Sequence, residues 1–289
     1  MPVLAVLLAG CAATPPPAAK PEPAKTPTSA PLGDARQIYL ESMKRQAMQQ
    51  QVSTLQEYYR AADGYPGGTR YAVDSAFDYR TKQARLERVQ VTGASRVAWA
   101  TRCDGPEEKF WSSKESGWET KYSDGCPTVL GATWINDGLG TGGLSEEQAT
   151  TFSGKLGDYK GLIAGRSVRK VEKYGKPYLR LEVTVTPRRF GSDLKIGVGM
   201  YLDAFKWTDV EALKHPYGLL GGGQEGLRIV RYVDPGTLLP AYAEMTETPR
   251  WRMHRVQYSF GGPVERSTLP AVPGVPRLSW EPEGQRQGR

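Results

Sequence analysis

The sequence predicts a mainly β protein (α+β): one highly curved antiparallel sheet or open half-barrel, with an N-terminal helix and short covering helices. Three observations carry this. Runs of apolar residues recur with a period of two through most of the chain. Turn dipeptides separate consecutive runs. Two short segments carry helix-capping signatures. The chain has 289 residues, 39% hydrophobic and 24% charged. That is enough apolar material for a real core, which excludes a wholly disordered chain. No run of 18 apolar residues occurs, so no membrane-spanning helix is expected.

Asp34 can cap a helix, and Met48, Val52, Leu55, Tyr59 and Ala62 step by three and four onto one face. This predicts a helix from residue 34 to about residue 62, closed by Asp63-Gly64 and Pro66. From about residue 70 the period becomes two. Strands are expected near 85–92, 95–103, 107–112, 116–122 and 166–174. In Tyr178–Thr186, Leu179, Leu181, Val183 and Val185 fall on one face, with Arg180, Glu182 and threonines on the other. Leu194, Ile196, Val198, Met200 and Leu202 repeat the pattern, with Gly197 and Gly199 opposite them. Further strands fit near 226–233, 239–247 and 250–260. Tyr174-Gly-Lys-Pro177 and Asp234-Pro-Gly-Thr237 are the joining turns. Ser145-Glu-Glu-Gln148 reads as a capping box, and a second short helix is expected at Thr208–Lys214.

The ends of the chain have a different composition. Residues 1–10 are apolar and finish in Leu8-Ala9-Gly10 before Cys11, a pattern that resembles the lipobox of bacterial lipoproteins. That resemblance implies cleavage before Cys11 and acylation of its sulfur, palmitate included. No Lys or Arg precedes the apolar stretch, so a translation start upstream of Met1 is expected. Residues 11–33 are Pro- and Ala-rich and fit an extended tether. Ala12 after the cysteine points to the outer membrane, facing the periplasm. Residues 34–262 are expected to form a single β-rich domain, and residues 263–289 a Pro/Gly-rich tail. With Cys11 lipidated, Cys103 and Cys126 remain as an even pair in an oxidising compartment. A disulfide between them would close a loop of roughly 24 residues, a constraint of about 3 kcal/mol in the chain-entropy model.

The text from Arg228 to Phe260, RIVRYVDPGTLLPAYAEMTETPRWRMHRVQYSF, holds a strand, an Asp-Pro-Gly-Thr turn, Leu-Pro followed by Tyr and Glu, and a strand ending in Tyr-x-Phe. With KVEKYGKPYLRL at Lys170–Leu181 and the aromatic hairpin at Lys109–Tyr122, it resembles the outer-membrane lipoprotein carrier and receptor (LolA/LolB-like) superfamily of envelope lipoproteins. The resemblance implies a half-open curved sheet whose inner, apolar side is covered by helices and holds acyl chains. The stretch 187–225 and the cysteine pair depart from that pattern.

Several motifs read as scaffold. Gly138-Leu-Gly-Thr-Gly-Gly143 lacks the lysine and the surrounding βαβ unit of a phosphate cradle, so it is expected to be a loop or lid. Gly221–Gly223 reads as a joint. His254 falls within a strand, and His215 precedes Pro216. With two His and three Cys, most metal-site frameworks lack ligands. Neither a Gly-x-Ser-x-Gly elbow nor a paired-His motif occurs. No catalytic residue, metal or cofactor is therefore expected, and the protein is read as a non-enzyme.

Candidate ligand-cavity residues are Trp99, Leu179, Leu181, Val183, Val185, Ile196, Val198 and Met200. Val97, Trp99 and Thr101 share one strand face. Between Arg166 and Arg189, eight cations (Arg166, Arg169, Lys170, Lys173, Lys176, Arg180, Arg188, Arg189) face Glu172 and Glu182. On a tethered envelope protein such a face would meet anionic lipid or lipopolysaccharide before nucleic acid. The expected function is binding of a lipid, or of lipoprotein acyl chains, in a curved-sheet cavity. The alternative is a structural docking module with a filled core, whose protein partner the sequence does not name.

Overall fold

The computed structural model describes residues 33–62, 65–114, 117–122, 142–186, 188–190, 193–195, 201, 204–205, 207–208, 227–247 and 252–262. All of them belong to one compact unit, Leu32–Arg289. Eleven strands form one antiparallel sheet: β1 (Gln51–Ala62), β2 (Tyr65–Asp78), β3 (Gln83–Thr92), β4 (Ser95–Asp104), β5 (Glu107–Ser112), β6 (Trp118–Tyr122), β7 (Ile163–Lys173), β8 (Lys176–Val185), β11 (Leu227–Val233), β12 (Pro240–Glu247) and β13 (Arg252–Phe260). The order across it is β6-β5-β4-β3-β2-β1-β13-β12-β11-β8-β7. β6 and β7 are free edges, so the sheet does not close into a barrel. A separate small hairpin pairs β9 (Arg188–Phe190) with β10 (Asp193–Lys195). Helix α1 (Ala35–Ala47) precedes the sheet, and α2 (Glu146–Asp158) lies between β6 and β7. The predicted fold class is the observed one.

The helix caps are as the sequence implies. Asp34 accepts the Arg36 amide at 2.8 Å and opens α1. Ser145 and Gln148 form a reciprocal capping box that opens α2. α1, however, ends at Ala47, and residues 51–62 are strand β1 rather than a continued helix. The three-and-four spacing misled because β1 lies mid-sheet and is buried on both faces. Val52, Thr54 and Gln56 are buried on one side and Leu55 on the other. A strand covered on both faces loses the two-residue alternation, and β-branched Val52 and Thr54 favour strand over helix.

The sheet presents an inner face, on which α1 and α2 pack, and an outer face. α1 lies against α2, β7 and β8. Its start is held by Arg36, which donates to the Ile163 carbonyl at 3.0 Å and to the Gly157 carbonyl at 2.6 Å. Gly165, at the β7 bulge, permits this approach, since a Cβ there would stand 2.6 Å from the Arg36 nitrogen. The core gathers Tyr39 and Met43 from α1, Phe152 and Leu156 from α2, and Leu181, Val183, Ile229, Met245 and Val256 from the sheet. Phe152 stacks on Phe205 with ring centroids 3.8 Å apart. Of the expected helix at Thr208–Lys214 only Thr208 is described, in a turn. Of the expected strand segment 196–202 only Tyr201 is described, and it is helical rather than extended. Gly221–Gly223 lie outside the described residues.

Candidate inner-face binding site

Cross-strand pairing fixes which side chains share a face. One row runs Val168–Leu181–Arg231–Ala243–Val256–Gln56–Val73–Arg88–Trp99 from β7 to β4. Predicted residues Leu181 and Trp99 therefore stand on the same, inner face. Leu179, Val183 and Val185 share it through their alternation with Leu181.

The two ends of this face differ. Leu179, Leu181, Val183 and Val185 are buried in the packed core beneath α1 and α2. Trp99 is only half-buried, as are Val97, Leu86 and Phe110 around it. The Arg88 guanidinium lies 5.7 Å from the Trp99 ring and 4.5 Å from that of Tyr71, within cation–π range. Between the two regions lies a polar strip. Thr54 and Ser75 share a 2.6 Å hydroxyl hydrogen bond, and Gln56 Nε2 donates to Thr54 Oγ1 at 2.9 Å.

Arg231 is the group that the alternation pattern should have exposed. It sits in phase with Ile229 and Val233, on the inward side of a buried strand, and is 1% exposed. Its guanidinium donates to Gln46 Oε1 and Met43 Sδ of α1, and it stands 5.7 Å from the rings of Tyr39 and Tyr258. The Tyr39 and Tyr201 hydroxyls share a hydrogen bond beside it. Burial pushes Tyr39 up to about 12 against the opposing pull of Arg231, and burial also raises Tyr201 well above the ordinary tyrosine value.

Of the other predicted site residues, Cys103 is buried on β4 in the inner-face row Phe77–Ala84–Cys103. Cys11, Cys126, Ile196, Val198 and Met200 lie outside the described residues. In the predicted lid, Gly142 and Gly143 are anchored. The Gly143 amide donates to the Gln49 carbonyl at 2.7 Å, and its φ of +78° needs glycine. A Cβ on Gly143 would stand 2.6 Å from Tyr79 Cδ1.

A groove of about 580 Å³ lies at the other end of these strands. Its side chains come chiefly from the outer face: Asp78, Gln83, Asp104 and Glu107 in one row, Arg85 and Arg102 in the next. Gln51 donates to Asp78 Oδ2 at 2.8 Å, the main reason the Asp78 carboxyl is held below its usual range. Phe77, Ala84 and Cys103 also line it, so charged and apolar groups share the groove. Among the described residues no cluster of three potential metal ligands occurs. Among them, too, no helix is long and apolar enough to cross a membrane.

No family model matches the sequence, and no curated protein matches it. Solved structures resemble the fold. Lipoprotein LppX of Mycobacterium tuberculosis aligns at 10% identity over 80% of this chain and 97% of its own, with a TM-score of 0.38. LprF of Mycobacterium bovis aligns at 10% identity over 81% and 97%, with a TM-score of 0.41. A domain from Vibrio parahaemolyticus assigned to outer membrane lipoprotein sorting aligns at 8% identity over 80% and 94%, with a TM-score of 0.25. At these values the likeness is one of strand arrangement alone. It assigns no ligand.

Proposed function

We propose that this chain is a lipid-anchored, non-catalytic protein of the bacterial envelope that binds a lipid, or the acyl chains of a lipoprotein, on the inner face of its sheet. The observation that carries this reading is the half-buried apolar patch of Trp99, Phe110, Leu86 and Val97, on the same sheet face that α1 and α2 fill beyond the polar strip. Acyl chains laid there would leave water, at about 0.8 kcal/mol per buried methylene. Cys11 would carry the anchor, with residues 12–33 as tether, at the outer membrane facing the periplasm. A Cys103–Cys126 disulfide would tie the connection after β6 to β4, beside this patch.

The packed core under α1 and α2 favours the second reading, a docking module with no ligand. Native mass spectrometry of the full chain carrying Cys11→Ser, which is not acylated, purified from a periplasm without detergent and then extracted with organic solvent, separates the two. Near-stoichiometric extra mass that partitions as lipid, and that is lost in Trp99→Ala, is the expected result. A clean mass that stays unchanged when phospholipids and lipopeptides are supplied would sink lipid binding in favour of docking.

A further inference from the structure

The outer face of the sheet, opposite α1 and α2, carries a second organised surface. Tyr178 of β8, Tyr232 of β11 and Tyr242 of β12 cluster there with Tyr174 of the β7–β8 turn. Ring centroids of Tyr174, Tyr178 and Tyr232 lie 5.1, 5.9 and 6.5 Å from that of Tyr242. Lys173 Nζ stands 3.8 Å from the Tyr232 ring centroid and 5.4 Å from those of Tyr174 and Tyr242. Tyr174 is 50% exposed at a φ of +53°, and Gly175 follows at +72°. A two-residue turn with both φ positive favours Asn or Asp before Gly, so a large aromatic there is held at a conformational cost. The ring packs on Tyr242 on one side and leaves the other side open to solvent.

Around the tyrosines the charges are unequal. Glu182 is shared by Arg228 at 2.8 Å and Arg180 at 3.2 Å. Glu244 is shared by Lys173 at 3.6 Å and Arg255 at 3.8 Å. Arg255 also reaches Glu57 at 4.0 Å. In these pairs among the described residues, four cations meet three carboxylates, and Asp234 also stands near Tyr178. Among the described residues, Arg166, Arg169 and Lys176 are exposed on the same face and have no carboxylate partner. Arg169 lies directly across from Arg180, and Lys176 across from Lys173. Pairing like charges across neighbouring strands disfavours the isolated fold, and an external anion would relieve it.

We propose that this outer face, over β7, β8, β11 and β12, docks on an anionic lipid bilayer. Unpaired Arg166, Arg169 and Lys176 would meet lipid phosphates, while Tyr174 enters the headgroup layer, where amphipathic rings settle. An array of cations interleaved with tyrosines, spread over several strands, is complementary to a bilayer surface, whereas a compact anion needs a concave site. The inner face would then point away from the membrane. The proposal does not depend on inner-face lipid binding.

The test uses the full chain carrying Cys11→Ser, which cannot be acylated, co-sedimented with vesicles of phosphatidylglycerol or of phosphatidylcholine. The tether and tail also carry cations (Lys20, Lys25, Arg277, Arg286, Arg289), so the comparison of parent and variant on phosphatidylglycerol reads the face. Binding to phosphatidylglycerol is expected to exceed binding to phosphatidylcholine and to fall with salt. Neutralising Arg166, Arg169 and Lys176 to Gln should lower partitioning about a hundredfold, at roughly fivefold per cation near the surface. Tyr174→Asn fits the turn and keeps the fold. It should lower partitioning a few-fold on both vesicles. Equal binding to the two vesicles, or a triple variant that is folded by circular dichroism and binds like its parent, would overturn the proposal. So would loss of vesicle binding in Trp99→Ala with the triple variant unaffected, because the contact would then belong to the inner face. Trp99→Ala that loses extracted lipid but keeps vesicle binding would separate this face from the inner one.

Discussion

The inner face of the sheet offers two regions with one pattern and two fates. Leu181 on β8 and Trp99 on β4 occupy the same cross-strand row, and each sits in an alternating run. Leu181 is sealed under α1 and α2, while Trp99 is half-buried beside Arg88. Alternation states which face a residue takes. It does not state what covers that face, because the cover comes from elements far away in sequence: Tyr39 and Phe152 reach Leu181's region from 142 and 29 positions away. The polar strip of Thr54, Ser75 and Gln56 marks where the covering ends.

The sharpest way to break this comparison is to empty each region. Phe152→Ala removes a fully buried ring that stacks on Phe205, so unfolding in urea should show a loss of about 3–5 kcal/mol. Trp99→Ala in the open region should cost only about 1 kcal/mol, since part of its surface already meets solvent. Equal losses would mean that the two regions form one filled core, and the ligand reading would lose its basis.

Alkaline titration sharpens the same contrast. Tyr39 and Tyr201 are buried in the covered region with their ionisation pushed up, Tyr39 to about 12. Each has a folded pKa above its unfolded value near 10. The folded state therefore holds the proton more tightly, its contribution is complete below pH 10, and stability falls as pH rises from 10 towards 12. For Tyr39 that loss is about 3 kcal/mol, at about 1.4 kcal/mol per pH unit. Tyr39→Phe should flatten the profile. A Tyr39→Phe profile identical to that of the parent would show that the hydroxyl pair is not buried as described.

Most of the sheet was legible because its hairpins are local. β5 is placed at residues 107–112 as expected, and β4, β11 and β12 start or end within one residue of expectation. The capping signals at Asp34 and Ser145 stand for the same reason. β1 was not legible, because a strand buried on both faces carries no alternation, and Leu55 fitted a helical step by coincidence. At the site, the phase of Trp99 with Val97 and Thr101 was legible. The phase of Arg231 with Ile229 and Val233 is equally open in the sequence, but charge on a strand usually faces solvent, so the pattern alone does not single it out as buried. The ion lattice on the outer face depends on β11 lying beside β8, a neighbourhood that spans more than forty residues of sequence and has no local signature.

The smallest effect tests whether the covered region is one cooperative unit. Asp234 ends β11, and its Oδ1 accepts from the Gly236 amide at 3.0 Å and from the Thr237 amide and hydroxyl at 2.8 and 3.0 Å. The Thr237 amide is the main reason its carboxyl is held below the usual range. Its folded pKa lies below the unfolded value, so its contribution is present above the unfolded value and is lost as pH falls through the folded one. Asp234→Ala should therefore cost about 1 kcal/mol at neutral pH, the size of a net turn hydrogen bond, and less in acid. Hydrogen exchange shows where the loss is felt. If β11, β12 and the helices they support open together, amides of Ile229, Met245 and Tyr39 should lose protection alike, while those of Val89 on β3 and Ala98 on β4, beyond the polar strip, keep theirs. Protection lost only at the turn would make the hairpin tip independent of the core. Protection lost equally at Val89 and Ala98 would show that the polar strip does not divide the sheet, and the two regions would have to be treated as a single folding unit.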